Sequence, residues 1–400
     1  MTDRFDVGAR PRPYLLPRLR VAGDLLRFES CPLRYRLHGV AGWPEADAEA
    51  APRLAGTLVH AALDHAGTAC RPRNAGGEGL PIDDDAASRA LASARRLVDA
   101  LSPRAGRSDA LHASLDAAAA IARRTILDLG PYLFPHLTAT EQRLAATRLH
   151  LDASIGEDGD RRRLRNVERF EVSGVLDAAA SGLLPDPDGG PFESLIHGAL
   201  NRPIERPVGA VIDYKLARRP RHAEQGRSKP DTGAVSLEAH AFQVAAYACI
   251  RDRFAVNDVL VGVVIYLYDL FPELDPRAGN ADAPDVAVGE GRPVDGVDLP
   301  SHDARSISAR LHRASAVVVI DEAAVSEATA RIDHIGAAIE ACAEREAASL
   351  PPRLAWPTRR SEICGECDVR PMCPEWQDAE GDGARSQYPQ GYGQGEPDDS

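Results

Sequence analysis

Apolar runs with the patterns of β-strands lie in the middle of the chain. Residues 138–154 and 167–180 alternate apolar and polar positions and are joined by a charged connection, a pattern that predicts a hairpin. Residues 208–217 and 259–268 are almost continuously apolar, as expected of buried strands. A short apolar run at 316–320 predicts a further strand.

Segments with helical periodicity surround these strands. Apolar residues recur at helical spacing in the segments 21–40, 56–63, 86–137, 237–253 and 322–348. Ser30-Cys31-Pro32 interrupts the first segment, and we expect the chain to turn there before a second short helix. The helix that begins near Gly56 carries His60 close to its first turn. The alanine- and leucine-rich segment 86–137 is predicted to be a helical insertion.

Proline, glycine and polar residues separate these elements. They predict loops at 42–53, 70–85, 184–206, 218–235 and 272–305. We expect a flexible arm at 1–20 and a disordered tail at 377–400, which leave one domain at 21–376. The order of elements predicts an α/β fold of the mixed α+β type, in which helices flank a central mixed sheet.

The bulk composition indicates a globular protein with a sizeable core, since 44% of the 400 residues are hydrophobic. No apolar run approaches the roughly 18 to 20 residues that a membrane-spanning helix needs. The N-terminus lacks the pattern of a signal peptide, so we expect a soluble, cytoplasmic protein. The net charge of −13 excludes a protein that coats nucleic acid nonspecifically. It does not exclude a nuclease, which needs only a local basic groove.

Two arginine clusters are candidates for such a groove. The first comprises Arg161, Arg162, Arg163 and Arg165, and the second comprises Arg218, Arg219 and Arg221. The alternative is that both are solvated surface loops, and we favour this interpretation for the first cluster.

Asp213 and Lys215 stand two residues apart in the apolar run at 208–217. The period of a strand places both side chains on one face. Such a pair at a strand end can hold a divalent cation and polarise a water or phosphate beside it, although an ordinary salt bridge is the alternative. Only Lys215 and Lys229 are lysines among 47 basic residues. Because an ordinary salt bridge in this chain would more commonly use arginine, lysine at this position favours chemistry.

Seven cysteines in a chain expected to be cytoplasmic argue against a disulfide framework. Three of them form a C-x2-C-x5-C cluster in segment 354–376: Cys364, Cys367 and Cys373. Such thiols usually ligate metal, and a Zn site or an iron–sulfur cluster needs a fourth ligand. Cys31 is the best candidate and would join the two ends of the domain, while the spacing leaves both metals open. The other three are Cys70 in a predicted loop and Cys249 and Cys342 on predicted helices, where they would pack.

Six short motifs follow one another along residues 21–376. They are S-C-P-x-R-Y at Ser30–Tyr35, G-x-x-x-H at Gly56–His60, G-x-x-D at Gly174–Asp177, D-x-K at Asp213–Lys215, Q-x-x-x-Y at Gln243–Tyr247, and the cysteine triplet. With these motifs in this order, the chain resembles the RecB-like branch of the PD-(D/E)XK nuclease superfamily. The closest resemblance is to its iron–sulfur members, namely the AddB C-terminal nuclease domain and the CRISPR-associated adaptation nucleases.

The resemblance implies a fold, a cofactor and a role for each motif. The implied fold is a restriction-endonuclease-like mixed sheet flanked by helices. His60, Asp177, Asp213 and the backbone carbonyl of Tyr214 would hold Mg²⁺ or Mn²⁺. Lys215 would orient or polarise the attacking water, and a lone histidine such as His60, which is more often structural, becomes a site residue.

The remaining motifs would support this centre. Gln243 and Tyr247 would line the DNA strand, and Glu141 would assist from the preceding strand. The resemblance favours a 4Fe-4S cluster over Zn at four cysteines: Cys31, Cys364, Cys367 and Cys373. The helical insertion and the long loops at 184–206 and 272–305 depart from the minimal relatives.

The function that follows is a Mg²⁺- or Mn²⁺-dependent deoxyribonuclease acting on single strands or DNA ends, in DNA repair, recombination or phage defence. One alternative is a catalytically idle DNA-binding or assembly subunit of a helicase or defence complex. Another is a Zn-stabilised structural protein. No G-x-x-x-x-G-K-[ST] loop is present, so any unwinding would come from a partner.

Overall fold

A computed structural model describes most of the chain between residues 17 and 375. The described residues are 17–43, 50–71, 80–101, 109–149, 168–200, 206–220, 236–252, 259–276, 304–359, 364, 367–370 and 373–375. The arginines at 161–165, Arg221 and the predicted tail at 377–400 lie outside these ranges, as do most of the predicted arm and loop 272–305. The division into arm, domain and tail stays a prediction.

The described residues contain one mixed sheet of six strands. The strands are β1 (Arg18–Arg20), β2 (Leu137–Leu149), β3 (Glu168–Leu183), β4 (Val208–Lys215), β5 (Val259–Tyr266) and β6 (Ser315–Val319). Their order is β1-β3-β4-β5-β6, with β2 also paired to β3. The pairs β1–β3 and β4–β5 are parallel and the others are antiparallel, so the predicted mixed sheet and its β2–β3 hairpin pairing are confirmed.

Helices cover both faces of the sheet. They are α1 (Leu26–Ser30), α2 (Pro32–Tyr35), α3 (Ala50–Cys70), α4 (Asp84–Leu101), α5 (Asp109–Arg124), α6 (Gly130–Leu133), α7 (Pro191–Leu200), α8 (Leu237–Asp252), α9 (Leu267–Leu270), α10 (Ala304–Ala314), α11 (Glu322–Ala347) and α12 (Pro352–Ala355). Short π-helical or 3-10 turns lie at Val21–Leu25, Arg36–Val40, Thr125–Leu129, Phe134–His136 and Pro272–Leu274. None of the described helices is both long and apolar enough to cross a membrane.

Two hydrophobic cores lie on opposite faces of the sheet. Helices α3, α4, α5, α7 and α10 pack in the first core, and α8, α11 and the N-terminal helices pack in the second. In β4, Ala210 and Ile212 belong to the first core and Val211 to the second. The alternation of the strand therefore directs Asp213 and Lys215 to the face that α8 covers.

Three predictions about element boundaries are wrong. The predicted loop 184–206 contains α7, where Phe192 and Ile196 are fully buried at helical spacing and Pro191 starts the helix. Helix α3 begins at Ala50, so the predicted loop 42–53 ends earlier and His60 lies in mid-helix. The last residues of the predicted arm form strand β1, because parallel pairing with β3 satisfies their backbone hydrogen-bonding groups.

Smaller differences concern the ends of other elements. Strand β5 ends at Tyr266 rather than residue 268, and α9 follows at once. Cys70 is the last residue of α3 rather than part of a loop. Helix α10, which begins at Ala304, was not predicted.

Charged side chains fix the N-terminal helices to the C-terminal ones. Arg36 donates two hydrogen bonds of 2.7 and 2.6 Å to Glu346, which also accepts one of 2.6 Å from Trp356 Nε1. Arg331 of α11 binds Glu29 of α1 through two bonds of 2.9 and 2.8 Å. The two ends of the described chain therefore form one packed layer, which we call the terminal clasp.

Candidate metal centre

The predicted site residues converge where β2, β3 and β4 meet α3 and α8. His60 comes from α3, Glu141 from β2, Asp177 from β3, Asp213 and Lys215 from β4, and Gln243 and Tyr247 from α8. Five separate elements thus deliver their side chains to one place.

His60, Glu141 and Asp177 bring one donor atom each to within 4.8 Å of the others. The Nδ1 atom of His60 lies 3.1 Å from Asp177 Oδ1 and 3.7 Å from Glu141 Oε1. Two carboxylates and an imidazole suit a divalent cation that accepts oxygen and nitrogen ligands. Among the described residues, this is the one group of three metal-ligating side chains whose donor atoms lie so close together. It contains Glu141 rather than Asp213.

Glu141 has a strained backbone. Its φ of 44° falls in the left-handed region, which side chains of its kind rarely adopt. Its neighbours Thr140 and Gln142 pair with Ala178 and Leu176, which places Glu141 opposite Asp177. Strain of this kind persists only where the surrounding structure imposes it, and it clusters at functional sites.

The side-chain alternation of β2 and β3 shifts by one residue at this point. On β2, Ala139 packs against the second core before the shift and Leu144 packs in that core after it. On β3, Leu176 and Ala179 both pack in that core. The strained position therefore lets Glu141 and Asp177 leave the regular pattern together and meet His60.

A backbone group of β4 holds Asp177 from the other side. The N–H of Tyr214 donates a 2.7 Å hydrogen bond to Asp177 Oδ2. The N–H and C=O of one strand residue point to the same side of the strand, so the Tyr214 carbonyl also faces the metal-ligand group.

A hydrogen-bonded chain links Asp213, Lys215 and α8. Lys215 Nζ lies 2.8 Å from Asp213 Oδ2 and donates a 2.9 Å bond to Gln243 Oε1. Gln243 Nε2 lies 3.0 Å from Asp213 Oδ1 and 3.1 Å from the Tyr247 hydroxyl. The shared strand face of Asp213 and Lys215 and the shared helix face of Gln243 and Tyr247 are thereby confirmed.

Asp213 is 1% exposed, and its Oδ2 has no partner with hydrogen-bond geometry although Lys215 lies close. Burial raises the pKa of Asp213 to about 6, against the lowering effect of Lys215. A carboxylate oxygen in this condition fits a cation in the adjacent space.

His60 and Asp177 form an ion pair. Burial alone lowers the pKa of His60, but the charge and hydrogen bond of Asp177 outweigh it and raise the pKa to about 10. Burial likewise raises the pKa of Asp177, and the His60 cation reverses this and lowers it.

Gly174 of the G-x-x-D motif has a packing role. A Cβ atom added there would overlap the ring of Tyr247, which is 3% exposed. The motif therefore combines a small residue that admits Tyr247 with a carboxylate three residues later.

Sequence reasoning missed a buried pair beside Lys215. His240 Nδ1 lies 2.8 Å from the hydroxyl of Tyr266, and both residues are buried. Burial and the Lys215 charge lower the pKa of His240 to about 3, so the ring is neutral. The available signals were the position of His240 three residues before Gln243 and the register of Tyr266 with Lys215.

The cysteine segment lies against the N-terminal helices. Asp368 Oδ1 is 3.0 Å from His38 Nε2 and 3.7 Å from Arg34 Nε. Burial raises the pKa of the Cys367 thiol, and nearby Cys31 adds to this shift. Backbone turns bring Cys367 to Cys364 and Cys373 to Arg370. The structure thus brings Cys31 close to the C-terminal segment, while Cys70 and Cys342 are buried in the cores.

The described arginines of the second cluster are held within the fold. Arg218 Nε lies 2.5 Å from buried Asp275. The Arg219 backbone donates to Asp269 at 2.6 Å, and its side chain donates to the Ser315 carbonyl at 2.9 Å. Both side chains therefore have structural partners.

The family model described as the PD-(D/E)XK nuclease superfamily matches residues 22–374. No curated protein matches the chain.

Proposed function

The chain belongs to the PD-(D/E)XK nuclease superfamily, and we propose that it is a Mg²⁺- or Mn²⁺-dependent deoxyribonuclease of the RecB-like iron–sulfur branch. Its substrate would be single-stranded DNA or DNA ends, in repair, recombination or phage defence, with a helicase or defence complex as partner. The observation that carries the proposal is the convergence of His60, Glu141 and Asp177 from three elements. Residues 21–376 would form the nuclease domain.

The donor set fits a divalent cation. His60, Glu141 and Asp177 would hold it, with the Tyr214 carbonyl and the Asp213 carboxylate, whose Oδ2 lies 2.8 Å from Lys215 Nζ, beside them. The cation would lower the pKa of a bound water and neutralise charge on the phosphate.

Lys215 would act on the water or the phosphate. Gln243 and Asp213 fix its ammonium group, whose third hydrogen would donate to an oxygen of the substrate. A preorganised cation at this point stabilises the charge that develops on the phosphate oxygens.

Gln243 and Tyr247 would position these groups. The Gln243 amide accepts from Lys215 and donates to Asp213, so its orientation depends on both. Tyr247 closes the site from α8 and would contact the DNA strand.

Cys31, Cys364, Cys367 and Cys373 would bind a 4Fe-4S cluster. The proximity of Cys31 to Cys367 supports this assignment. The cluster would reinforce the terminal clasp rather than take part in hydrolysis.

Cleavage of end-labelled single-stranded and duplex DNA by anaerobically purified protein tests the proposal. We expect cutting with Mg²⁺ or Mn²⁺, none with EDTA, and none by Asp213→Asn. Exposed Arg353→Met serves as a variant control away from the site. Absence of cutting by the wild type on every substrate would overturn the proposal and favour the idle DNA-binding subunit.

A further inference from the structure

Helix α8 carries one more polar residue on its active-site face. Arg251 follows Gln243 and Tyr247 at intervals of four residues, so the three share one side of the helix. Arg251 is 7% exposed, and its Nη2 donates a 3.0 Å bond to Thr138 Oγ1 at the start of β2.

In the described part of the chain, no carboxylate is paired with the buried cation of Arg251. Its Nε and Nη1 atoms are buried and, in the described part of the chain, have no hydrogen-bond partner. Burial lowers its pKa, with no carboxylate to oppose the shift. Arg36, Arg218 and Arg331 differ, since each is paired with a carboxylate. A buried charge without a partner is strongly unfavourable, so an anion from outside would relieve it.

The residue to which Arg251 donates lies at the surface. Thr138, its hydrogen-bond acceptor, is exposed, and the Thr138 hydroxyl itself lies 3.2 Å from the Ala179 carbonyl. Arg71, at the end of α3, donates a 3.1 Å bond to the Thr138 carbonyl. Two guanidinium groups from different helices therefore meet at one exposed residue.

This residue lies on the same strand as Glu141 of the donor group. Thr138 precedes Glu141 by three residues on β2, which corresponds to about 10 Å along a strand. Guanidinium groups match phosphate geometry with paired donors. The described arginines of the predicted basic cluster, by contrast, are held by Asp275, Asp269 and Ser315.

We propose that Arg251 and Arg71 bind a backbone phosphate of the nucleic-acid strand, next along the strand from the one cleaved. The guanidinium of Arg251 turns from Thr138 to the phosphate, and Arg71 contacts it from the exposed side. The inference rests on the proposed nuclease function for the identity of the ligand.

Salt-dependent binding of a fluorescein-labelled single-stranded oligonucleotide in EDTA tests this assignment. For Arg251→Met we expect affinity to fall about fivefold at 0.1 M salt and the log–log salt slope to flatten by about 0.7, the value for the loss of one phosphate contact on a single strand. Arg71→Met should likewise lower the affinity and flatten the salt slope. Exposed Arg353→Met carries the same charge change and should leave both unchanged.

Stability separates this role from a structural one. Because methionine removes an unpaired buried charge, Arg251→Met should melt at or above the wild-type temperature while binding more weakly. A wild-type salt slope in Arg251→Met, or a fall in melting temperature that accounts for the weaker binding, would overturn the inference. If the wild type cleaves DNA in Mg²⁺ and the slope is unchanged, only the inference fails. If the wild type neither binds nor cleaves, both proposals fail.

Discussion

Glu141 lies opposite Asp177 across the β2–β3 pairing, and its φ of 44° turns its side chain towards the same donor group. The strained backbone and the charged side chain thus belong to the same residue, Glu141. Its conformation favours a contact of the carboxylate with the donor group over the stability of strand β2.

Replacing Glu141 should separate stability from metal binding. Asparagine tolerates a positive φ and carries no charge, so Glu141→Asn should keep or raise the free energy of unfolding, by up to about 1 kcal/mol. We expect the affinity for Mn²⁺, measured by titration calorimetry, to fall at least about tenfold and cleavage to fall with it. Exposed Gln142→Asn is the matched control. Wild-type Mn²⁺ affinity in Glu141→Asn would remove Glu141 from the ligand set.

The Asp213–Lys215 pair should respond unequally to substitution. Lys215→Met leaves the buried Asp213 carboxylate without its cation and should cost about 3 kcal/mol of stability. Asp213→Asn leaves a lysine whose side chain is 21% exposed and reaches solvent, so it should cost less. Urea unfolding measures both, and both variants should abolish cleavage. Lys229→Met, at the second lysine, is the control. Substantial cleavage by either site variant would contradict the active-site assignment.

Gly174 and Tyr247 should be energetically coupled. Gly174→Ala forces the Tyr247 ring to move and should cost about 1 to 3 kcal/mol. In a Tyr247→Ala background the added methyl meets no ring, so the same substitution should cost much less. A double-mutant cycle by urea unfolding gives this difference directly. If the costs of the two substitutions are additive, contact with the Tyr247 ring does not restrict which residue position 174 can hold.

His240 should make the protein sensitive to mild acid. Its folded pKa, about 3, is below the ordinary value near 6.5, so the unfolded state binds the proton first as the pH falls. Stability from this group is complete above pH 6.5 and declines towards pH 3, by about 2 kcal/mol at pH 5. His240→Gln should reduce the loss between pH 7 and pH 5 in urea unfolding. Exposed His312→Gln is the control, and equal losses in both variants would contradict the prediction.

The cysteine segment should depend on iron. Anaerobically purified wild type should be brown and contain iron. The Cys364→Ser variant should be colourless and should melt at a lower temperature than the wild type. Cys249→Ser, whose thiol contacts the Val325 carbonyl, should retain the iron. Zinc in place of iron, or an unchanged melting temperature in a cluster-free Cys364→Ser, would contradict this assignment.

The sequence predicted the elements whose signals are local. The apolar period of β4 placed Asp213 and Lys215 on one face, and the helical period of α8 placed Gln243 beside Tyr247. Strands β2 and β3 were found from alternation alone, although the shift at Glu141 was not visible. That shift arises from pairing between strands, which periodicity along one strand does not report.

Other features depended on tertiary contacts. Helix α7 was predicted as a loop because prolines and glycines surround it, and its helicity is fixed by burial of Phe192 and Ile196. The position of Glu141 beside His60 and the unpaired state of Arg251 were equally hidden. Each of these two features depends on which helices and strands pack together, and the neighbouring residues in the sequence do not reveal this.

The terminal clasp also affects when the chain can complete its fold during synthesis. During synthesis Val21–Val40 leaves the ribosome before α11 and Trp356, so the early helices have no Glu346 to bind until α11 has been made. The face of the sheet that supports Asp213 and Lys215 is covered only when Val21–Val40 and α11 are both present. A nascent chain therefore completes this face only after residue 356 has been made, and a product truncated before α11 would lack that cover.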